Sequence, residues 1–478
     1  MVQLRDYQDY LINELRLKLQ DHRRVLGVLP TGGGKTFSGS FMLKNFREMH
    51  PEGRAIVRVH REELLWQWYD SLMKVGLSPG LCMAGRPQLS QPITVAMVET
   101  FSRQLDKRPQ LANDFTFGIA DEAHIGNHFK VMDKLRCHDL GLTATPLSSN
   151  KSRPLNKLFG DIACPFSEYD LIKRGHLLPA RTFSIEHDFS QLRKKGKDFS
   201  IETQLAEFTK PKLYDGAAQQ YMRHCRGSKS GSAWHRAICF NVNVGHSLEM
   251  LEVFRGYGIR CEHVDGDTPK QDRKDRFKML ANGDIDVLHN VGVATVGLDE
   301  TSLEAIILNR ATSSLSLYIQ MCGRGARPHE FNPFMKLDHF KVIDMGANYT
   351  RHGLFGAPID WRSIFDNQNN DSKAKPKTKP KECPECGARI PAKIKACPWC
   401  DHAFSVQEIQ DAEMDGMTAK EIKEYRFQHL PPNLRNKDKK EMTDGELHEY
   451  GRLMGYDPKW AFKQVNLRNK WRGNRWKN

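Results

Sequence analysis

Leu29 to Thr36 read LPTGGGKT, where the apolar run VLGVLP meets TFSGSFMLKNFREM, a segment with helical spacing. Glycines let a backbone fold tightly round phosphate oxygens, and successive N–H groups at a helix N-terminus supply donors. Thr31, Gly32, Gly33 and Gly34 would form that cradle. Lys35 would reach the β and γ phosphates, and Thr36 would place its hydroxyl on Mg²⁺. The pattern departs from GxxxxGK[ST] at its first position, where Leu29 replaces glycine. Some way on, FGIADEAH puts Asp121 and Glu122 at the end of another apolar run. There Asp121 could hold Mg²⁺ through water, and Glu122 could polarise an attacking water as general base. His124 could couple the site to a second domain. A third stretch, YIQMCGRGARP, carries Gln320, Arg324 and Arg327. On a helix the two arginines would share one face and could meet the charge that develops in phosphoryl transfer.

Metal chemistry is written elsewhere. KECPECGARIPAKIKACPWCDH, from Lys381 to His402, contains Cys383, Cys386, Cys397 and Cys400 in the pattern C-x₂-C-x₁₀-C-x₂-C. Two thiolate pairs on tight turns suit a tetrahedral Zn²⁺ site, and with all four positions filled the metal would be structural. A redox dithiol is the competing reading, but it would not need two matched knuckles. His402 is not required as a ligand. The other seven cysteines are scattered without paired spacing and read as small buried hydrophobes.

Positioning these residues calls for two alternating β/α regions. In roughly 1–148 the strand-like runs are VLGVLP, RAIVRVH, ITVAMVE and FGIADEAH. In roughly 232–366 they are AICFNV, IRCEHVDG, DVLHNV, AIILNR and KVIDMG. Continuous apolar runs of this kind belong to parallel strands buried on both faces. The expected fold is α/β, with two doubly wound parallel-sheet domains facing each other across a cleft. A connector with a helix-prone insertion spans 149–231. A Lys/Pro linker, too polar to pack a core, spans 367–382. A zinc ribbon (383–402) and a basic helical tail (403–478) follow. In the tail, Trp460, Trp471 and Trp476 alternate with basic residues. They could stack on exposed bases or simply pack against the body.

The chain has 478 residues, too many for one core, and a net charge of +14, which favours a polyanionic partner such as nucleic acid. No window approaches ~20 uninterrupted apolar residues, so no membrane span is expected. The first residues lack an apolar signal region. The expected location is the cytoplasm, that of a host if a phage encodes the chain.

Taken in order, the motifs resemble those of superfamily 2 helicases and translocases over roughly residues 1–350. LRDYQ resembles the family's adenine-reading motif, with Gln8 as base contact and Arg5 nearby. LPTGGGKT resembles motif I, VRVHREELLWQW motif Ia, and VAMVETFSR the next strand-end motif that touches nucleic acid. DEAH resembles motif II, GLTATP motif III with Thr143 and Thr145, and AICFNV motif IV. GVATVGLD resembles motif V with Gly297 and Asp299, and QMCGRGAR motif VI with Arg324 and Arg327 as arginine fingers. The TAT of motif III and the Gln opening motif VI resemble DNA-directed members more than DEAD-box RNA helicases. LIKRGHLLPARTF (Leu171 to Phe183) is similar to RadD-like bacterial and phage helicases, which carry C-terminal zinc ribbons. The closing MGYDPKWAFKQV looks like tails on phage-encoded relatives.

The resemblance implies two tandem RecA-like domains with ATP and Mg²⁺ between them, and hydrolysis coupled to movement on DNA. The DNA would be single-stranded, forked or branched, in repair, recombination or replication. An RNA helicase with the same engine is one alternative. An ATP-gated adaptor that recruits a single-strand-binding or replisome protein through the ribbon and tail is another.

Overall fold

Each apolar run becomes a strand because sheet neighbours and helices cover both of its faces. The computed structural model describes residues 3–150, 152–227, 234–293, 303–328, 338–367, 380–415 and 417–474, with side chains up to Leu467. The first sheet has eight strands: β1 (Arg24–Val28), β2 (Ala55–Val59), β3 (Gly80–Met83), β4 (Arg86–Pro87), β5 (Ile93–Met97), β6 (Phe117–Asp121), β7 (His138–Thr143) and β8 (Asp161–Ala163). Their order is β4-β3-β5-β2-β6-β7-β1-β8, all parallel except β4. Helices Asp6–Asp21, Lys35–Met49 and Glu62–Lys74 send Leu11, Leu43 and Trp68 into one core with Val25, Val57 and Leu142. β3, β7 and β8 are not among the apolar runs picked out above. In β7, HDLGLT, a charged residue and a glycine interrupt the run.

The second sheet is built on β9 (Ala180–Ser184), β12 (Ala237–Asn241), β13 (Cys261–Val264), β14 (Val287–Asn290), β15 (Ala305–Asn309) and β16 (Phe340–Asp344), in the order β13-β14-β12-β15-β16-β9. β9 arises in the segment read as connector, yet pairs in parallel with β16 from Ala180 opposite Phe340 to Ser184 opposite Asp344. Its sequence, ARTFS, is too polar to read as a buried strand. It lies near the sheet edge, where its outer neighbour is only the two-residue strand Arg389–Ile390, antiparallel with Arg389 opposite Thr182. The segment after the first cysteine knuckle therefore completes a sheet, where the sequence predicted a ribbon hanging beyond a linker. The rest of 149–231 holds helices Ile201–Phe208, Pro211–Tyr214 and Gly216–His224, and a hairpin of β10 (Lys194–Lys195) and β11 (Asp198–Phe199).

The chain divides into two compact units, Met1–Pro376 with Glu382–Ile390, and Lys377–Lys381 with Pro391–Asn478. In the second, helices Ala419–Gln428 and Asp444–Met454 lie where the sequence predicts helices. Leu430, Leu434, Met442, Leu447, Tyr450 and Met454 make its core. Trp460 stacks on Tyr450 with ring centroids 5.8 Å apart, so this tryptophan packs rather than waits for a base. The Trp471 side chain and Trp476 lie outside the described residues.

Candidate nucleotide site

Strands β6, β7 and β1 are consecutive in the first sheet. Their C-terminal ends place the DEAH, TAT and glycine-rich segments side by side, the usual position for a ligand on a parallel sheet. Leu29 N donates to Thr143 O at 3.1 Å, and Ala123 N to Leu142 O at 2.9 Å. Gly32 and Gly34 take left-handed φ values of 85° and 82°, which a side chain would oppose. Gly33 O accepts from Tyr7 Oη at 3.1 Å and from Gln8 Nε2 at 3.2 Å. Gln8 Oε1 in turn accepts from Arg5 N at 2.9 Å. The LRDYQ segment thus braces the loop from behind. Lys35 Nζ donates to Leu29 O at 3.3 Å, and Thr36 follows it in the first turn of the helix.

Asp121 is buried and held from both sides. Trp68 Nε1 donates to its Oδ2 at 2.7 Å, and Glu122 N to its Oδ1 at 3.0 Å. Burial first, and the Glu122 charge second, push the Asp121 carboxyl up from the usual carboxylate range. Glu122 has a φ of 50°, an uncommon left-handed backbone for a non-glycine residue. Its Oε2 is buried without a hydrogen bond. Two crowded carboxylates beside Lys35 and Thr36, one with an unsatisfied oxygen, fit a divalent cation.

A path of hydrogen bonds leaves this site. His124 Nδ1 lies 3.0 Å from Thr143 Oγ1, and Thr143 Oγ1 donates to Thr145 O at 2.9 Å. That assignment makes Nδ1 the protonated nitrogen of His124. Burial and the Lys35 charge push its imidazole down to about 4, so the ring is neutral at neutral pH. Thr145 Oγ1 then meets Ser316 Oγ of the second domain at 2.6 Å.

Ser316 lies on helix Leu315–Cys322, which carries a half-buried Gln320. The helix stops at Cys322, so Arg324 and Arg327 lie in the turn that follows, not on one helical face as the sequence predicted. Gly323 ends it in close approach to the first domain: a Cβ there would lie 2.8 Å from Thr31 Cβ. A Cβ on Gly32 would lie 3.1 Å from Arg327 Cγ. The glycine-rich loop and the arginine turn therefore face each other directly. Leu178 N donates to Ala326 O at 2.7 Å and fixes the turn from the connector side. Gly297 and Asp299 lie outside the described residues. A further strip joins the domains, with Glu62 on Lys270 at 2.6 Å and Glu63 on Arg273 at 3.1 Å.

Trp68, Tyr7 and Ser316 were not read as site residues from sequence. Each looks like ordinary helix packing until the fold sets it against Asp121, Gly33 or Thr145.

The four cysteines also come together, their Sγ atoms all within 4.8 Å of one another. Zn–S bonds of about 2.3 Å in a tetrahedron need sulfurs under 4 Å apart, so small side-chain shifts suffice. Each knuckle is a hydrogen-bonded turn: Gly387 N donates to Cys383 O at 2.9 Å, and Asp401 N to Cys397 O at 3.0 Å. His402 packs edge-on against Phe404, 4.9 Å between centroids.

The two halves that supply the facing loops match two family models. "Type III restriction enzyme, res subunit" covers residues 1–148. "Helicase conserved C-terminal domain" covers 222–329. The chain therefore carries two helicase-type domains, in the order that the motifs resembling superfamily 2 led one to expect. With these helicase domains it is an ATP-dependent enzyme. It is 28% identical over 390 residues to a 51.5 kDa protein of Lactococcus phage (isolate 7-9), covering 79% of this chain and 78% of the phage protein. It is 29% identical over 383 residues to a Saccharomyces cerevisiae protein that carries the name of an ATP-dependent helicase, IRC3. That match covers 74% of this chain but only 53% of the yeast protein, so this chain spans about half of that relative. Among solved structures it is similar to a fragment of an HsdR subunit of a type I restriction enzyme from Vibrio vulnificus YJ016. There the TM-score is 0.56 at 21% identity, over 74% of this chain and 66% of that one. It is also similar to the ATP-dependent Type ISP restriction-modification enzyme LlaBIII bound to DNA. That TM-score is 0.53 at 14% identity, over 78% of this chain and 30% of that one. At such identities the likeness concerns the fold, two tandem RecA-like domains. Among the described residues no helix is long and apolar enough to cross a membrane.

Proposed function

We propose that this chain is a superfamily 2 DNA translocase or helicase that turns ATP hydrolysis into relative movement of its two RecA-like domains. The observation that carries the reading is the facing of the glycine-rich loop and the arginine turn, joined by the hydrogen-bonded path His124–Thr143–Thr145–Ser316. Lys35 and the N–H groups of Thr31 to Gly34 would hold phosphates, and Thr36 and Asp121 would hold Mg²⁺, which supplies charge neutralisation there. Glu122 would orient and deprotonate the attacking water. Arg324 and Arg327 would meet the developing charge as the domains close, with Gln320, Gly297 and Asp299 completing the second-domain wall. Arg5 and Gln8 would contact the base. A change at the phosphates would then alter the Thr145–Ser316 contact and so the spacing of two grips on the nucleic acid.

DNA is favoured over RNA by the restriction-enzyme relatives, one of which is named as bound to DNA, and by the TAT and Gln features. The net charge of +14 suits either polyanion. Single-stranded, forked or branched DNA would be the substrate, in repair, recombination or replication. The test is ATP hydrolysis measured with single-stranded, duplex and forked DNA and with RNA. DNA stimulation is expected, and Lys35→Ala should abolish it. Stimulation by RNA alone would make this an RNA helicase. Turnover indifferent to every nucleic acid would favour an ATP-gated adaptor.

The cysteine cluster would hold a structural Zn²⁺, leaving the ribbon to recruit DNA or a single-strand-binding or replisome protein. Cys397→Ser should lose zinc by metal analysis and loosen residues 383–402 to proteolysis while basal ATP turnover persists. Loss of turnover would give the ribbon a role in the engine. Removing residues 468–478 spares the Trp460 cluster yet deletes Arg468, Lys470, Arg472, Arg475 and Lys477. DNA affinity should weaken and its salt dependence flatten, by up to about 0.7–0.9 in log–log slope for each phosphate that is no longer neutralised. An unchanged slope would leave the tail no part in binding.

A further inference from the structure

The insertion after β9 has no place in the engine described so far, and its most basic part is the hairpin of β10 and β11. Lys194 pairs with Phe199 and Lys195 with Asp198, and Gly196–Lys197 form the tip. Gly196 has a φ of 69°, the positive value that a two-residue turn with glycine first requires. Arg193, Lys194, Lys195 and Lys197 are all exposed, and among the described residues none of the four forms an ion pair. Four unpaired cations within five residues of a regular hairpin form a concentrated positive tip.

The strand that returns from that tip is anchored, and Lys197 O accepts from Ser313 Oγ at 3.5 Å, while the four cationic side chains stay exposed. Asp198 Oδ2 pairs with Arg310 at 2.8 Å. Both Asp198 carboxylate oxygens lie 3.0 Å from Thr312 Oγ1, and Oδ1 accepts from Ser313 N at 2.7 Å. Gln204 adds two more ties, with Nε2 donating to Phe199 O and Oε1 accepting from Ala311 N. The Arg351 guanidinium lies over the Phe199 ring, 5.1 Å from its centroid. Residues 310–313 follow the C-terminal end of β15 and lead into helix Leu315–Cys322, whose Ser316 meets Thr145. β9, β12, β14, β15 and β16 run parallel, so the hairpin emerges at the edge shared by their C-terminal ends. β12 is itself the segment resembling motif IV, and Gly292–Val293, the start of the segment resembling motif V, follow β14 at that edge.

We propose that the hairpin Arg193–Phe199 is a grip of the second domain on the phosphodiester backbone of nucleic acid. Asp198 makes it rigid with the loop that leads to the arginine turn. The proposal rests on the reading of this protein as a nucleic-acid motor and adds a contact surface to it. The cations supply affinity that carries no sequence preference. Asp198 supplies no affinity; it transmits position, because the loop it holds is also the start of the helix that touches Thr145.

The test uses the full chain and a fluorescent oligonucleotide, single-stranded and forked, titrated from low to moderate salt. Lys194→Ala/Lys195→Ala/Lys197→Ala should weaken binding and lower the log–log salt slope by about 2–3. Lys74→Ala/Lys157→Ala/Lys278→Ala, which removes equally exposed charge elsewhere, should change it far less. Equal slopes for the two triple variants would overturn the grip. Asp198→Ala should keep oligonucleotide affinity within about twofold while DNA stimulation of ATP turnover falls by about 5-fold or more, as expected when two sites are uncoupled. Arg310→Gln approaches the same contact from the other side and should act alike. Full stimulation in both variants would overturn the coupling. If the unaltered chain is not stimulated by any nucleic acid, the proposed function itself fails and the hairpin with it. That result is read on the wild type and is distinct from the other two.

Discussion

Glu122→Gln should lower ATP turnover by about 10²–10⁴-fold, the usual contribution of a general base, while nucleotide affinity stays close to that of the unaltered enzyme. The change removes one charge and keeps the shape. Glu122 Oε2 has no hydrogen bond to lose; its near contact, His124 Nδ1 at 3.4 Å, can be kept by the amide oxygen of glutamine. Its left-handed backbone, φ 50°, is set by its neighbours: Glu122 N is held by Asp121 Oδ1, and Ala123 N by Leu142 O. Glutamine can adopt it at the same cost. Removing the charge also relieves its repulsion on Asp121, whose carboxyl should then ionise more readily, so a cation site built on Asp121 would survive. Single-turnover hydrolysis, set against titration with a fluorescent nucleotide, separates the two quantities. Unchanged hydrolysis would remove Glu122 from the chemistry. Loss of binding in parallel would make it a ligand instead of a base.

The second large effect concerns stability and lies beneath the same sheet. Arg58 of β2 forms a fully buried ion pair with Asp139 of β7, although β6 runs between those strands. The pair can cross because β6 has Gly118 at that point; a Cβ there would lie 2.6 Å from Asp139 Oδ1. Asp139→Ala should destabilise the chain by about 3–5 kcal/mol, because it leaves the Arg58 guanidinium buried without its counter-charge. Replacing both, as Arg58→Met/Asp139→Leu, should recover much of that loss, since a packed apolar pair needs no desolvated charge. Urea unfolding followed by tryptophan fluorescence reads both variants. A single variant with an unshifted midpoint would mean that the pair contributes nothing. A double variant as unstable as the single one would place the cost in packing instead of charge.

How much was legible in advance differs by element. Five strands of the second sheet, the edge strand β13 and the four beside it, and four strands of the first were readable, most of them because parallel strands covered on both faces are largely apolar. β7 and β9 were not. β7 carries Asp139 for the buried pair, and β9 lies next to the sheet edge, so neither shows a continuous apolar run. The arginines were legible as residues but not in conformation: the helix ends at Cys322, and Gly323, where a side chain would clash with Thr31, leads into the turn that holds Arg324. The cysteine spacing predicted its own cluster, since the two ligands of each knuckle come from one local turn.

By itself the sequence determined the local parts of the first domain: a glycine-rich loop and a pair of carboxylates at strand ends, each encoded within a few neighbouring residues. Only the tertiary structure decided what stands behind and opposite them. Trp68 on Asp121, Tyr7 and Gln8 on Gly33, Ser316 on Thr145 and Asp198 on Thr312 join residues 25 to 171 positions apart. Such contacts have no local signature, because an indole N–H or a serine hydroxyl carries the same propensity whether it meets a carboxylate or water. Their partners are fixed by sheet order and by the facing of two domains.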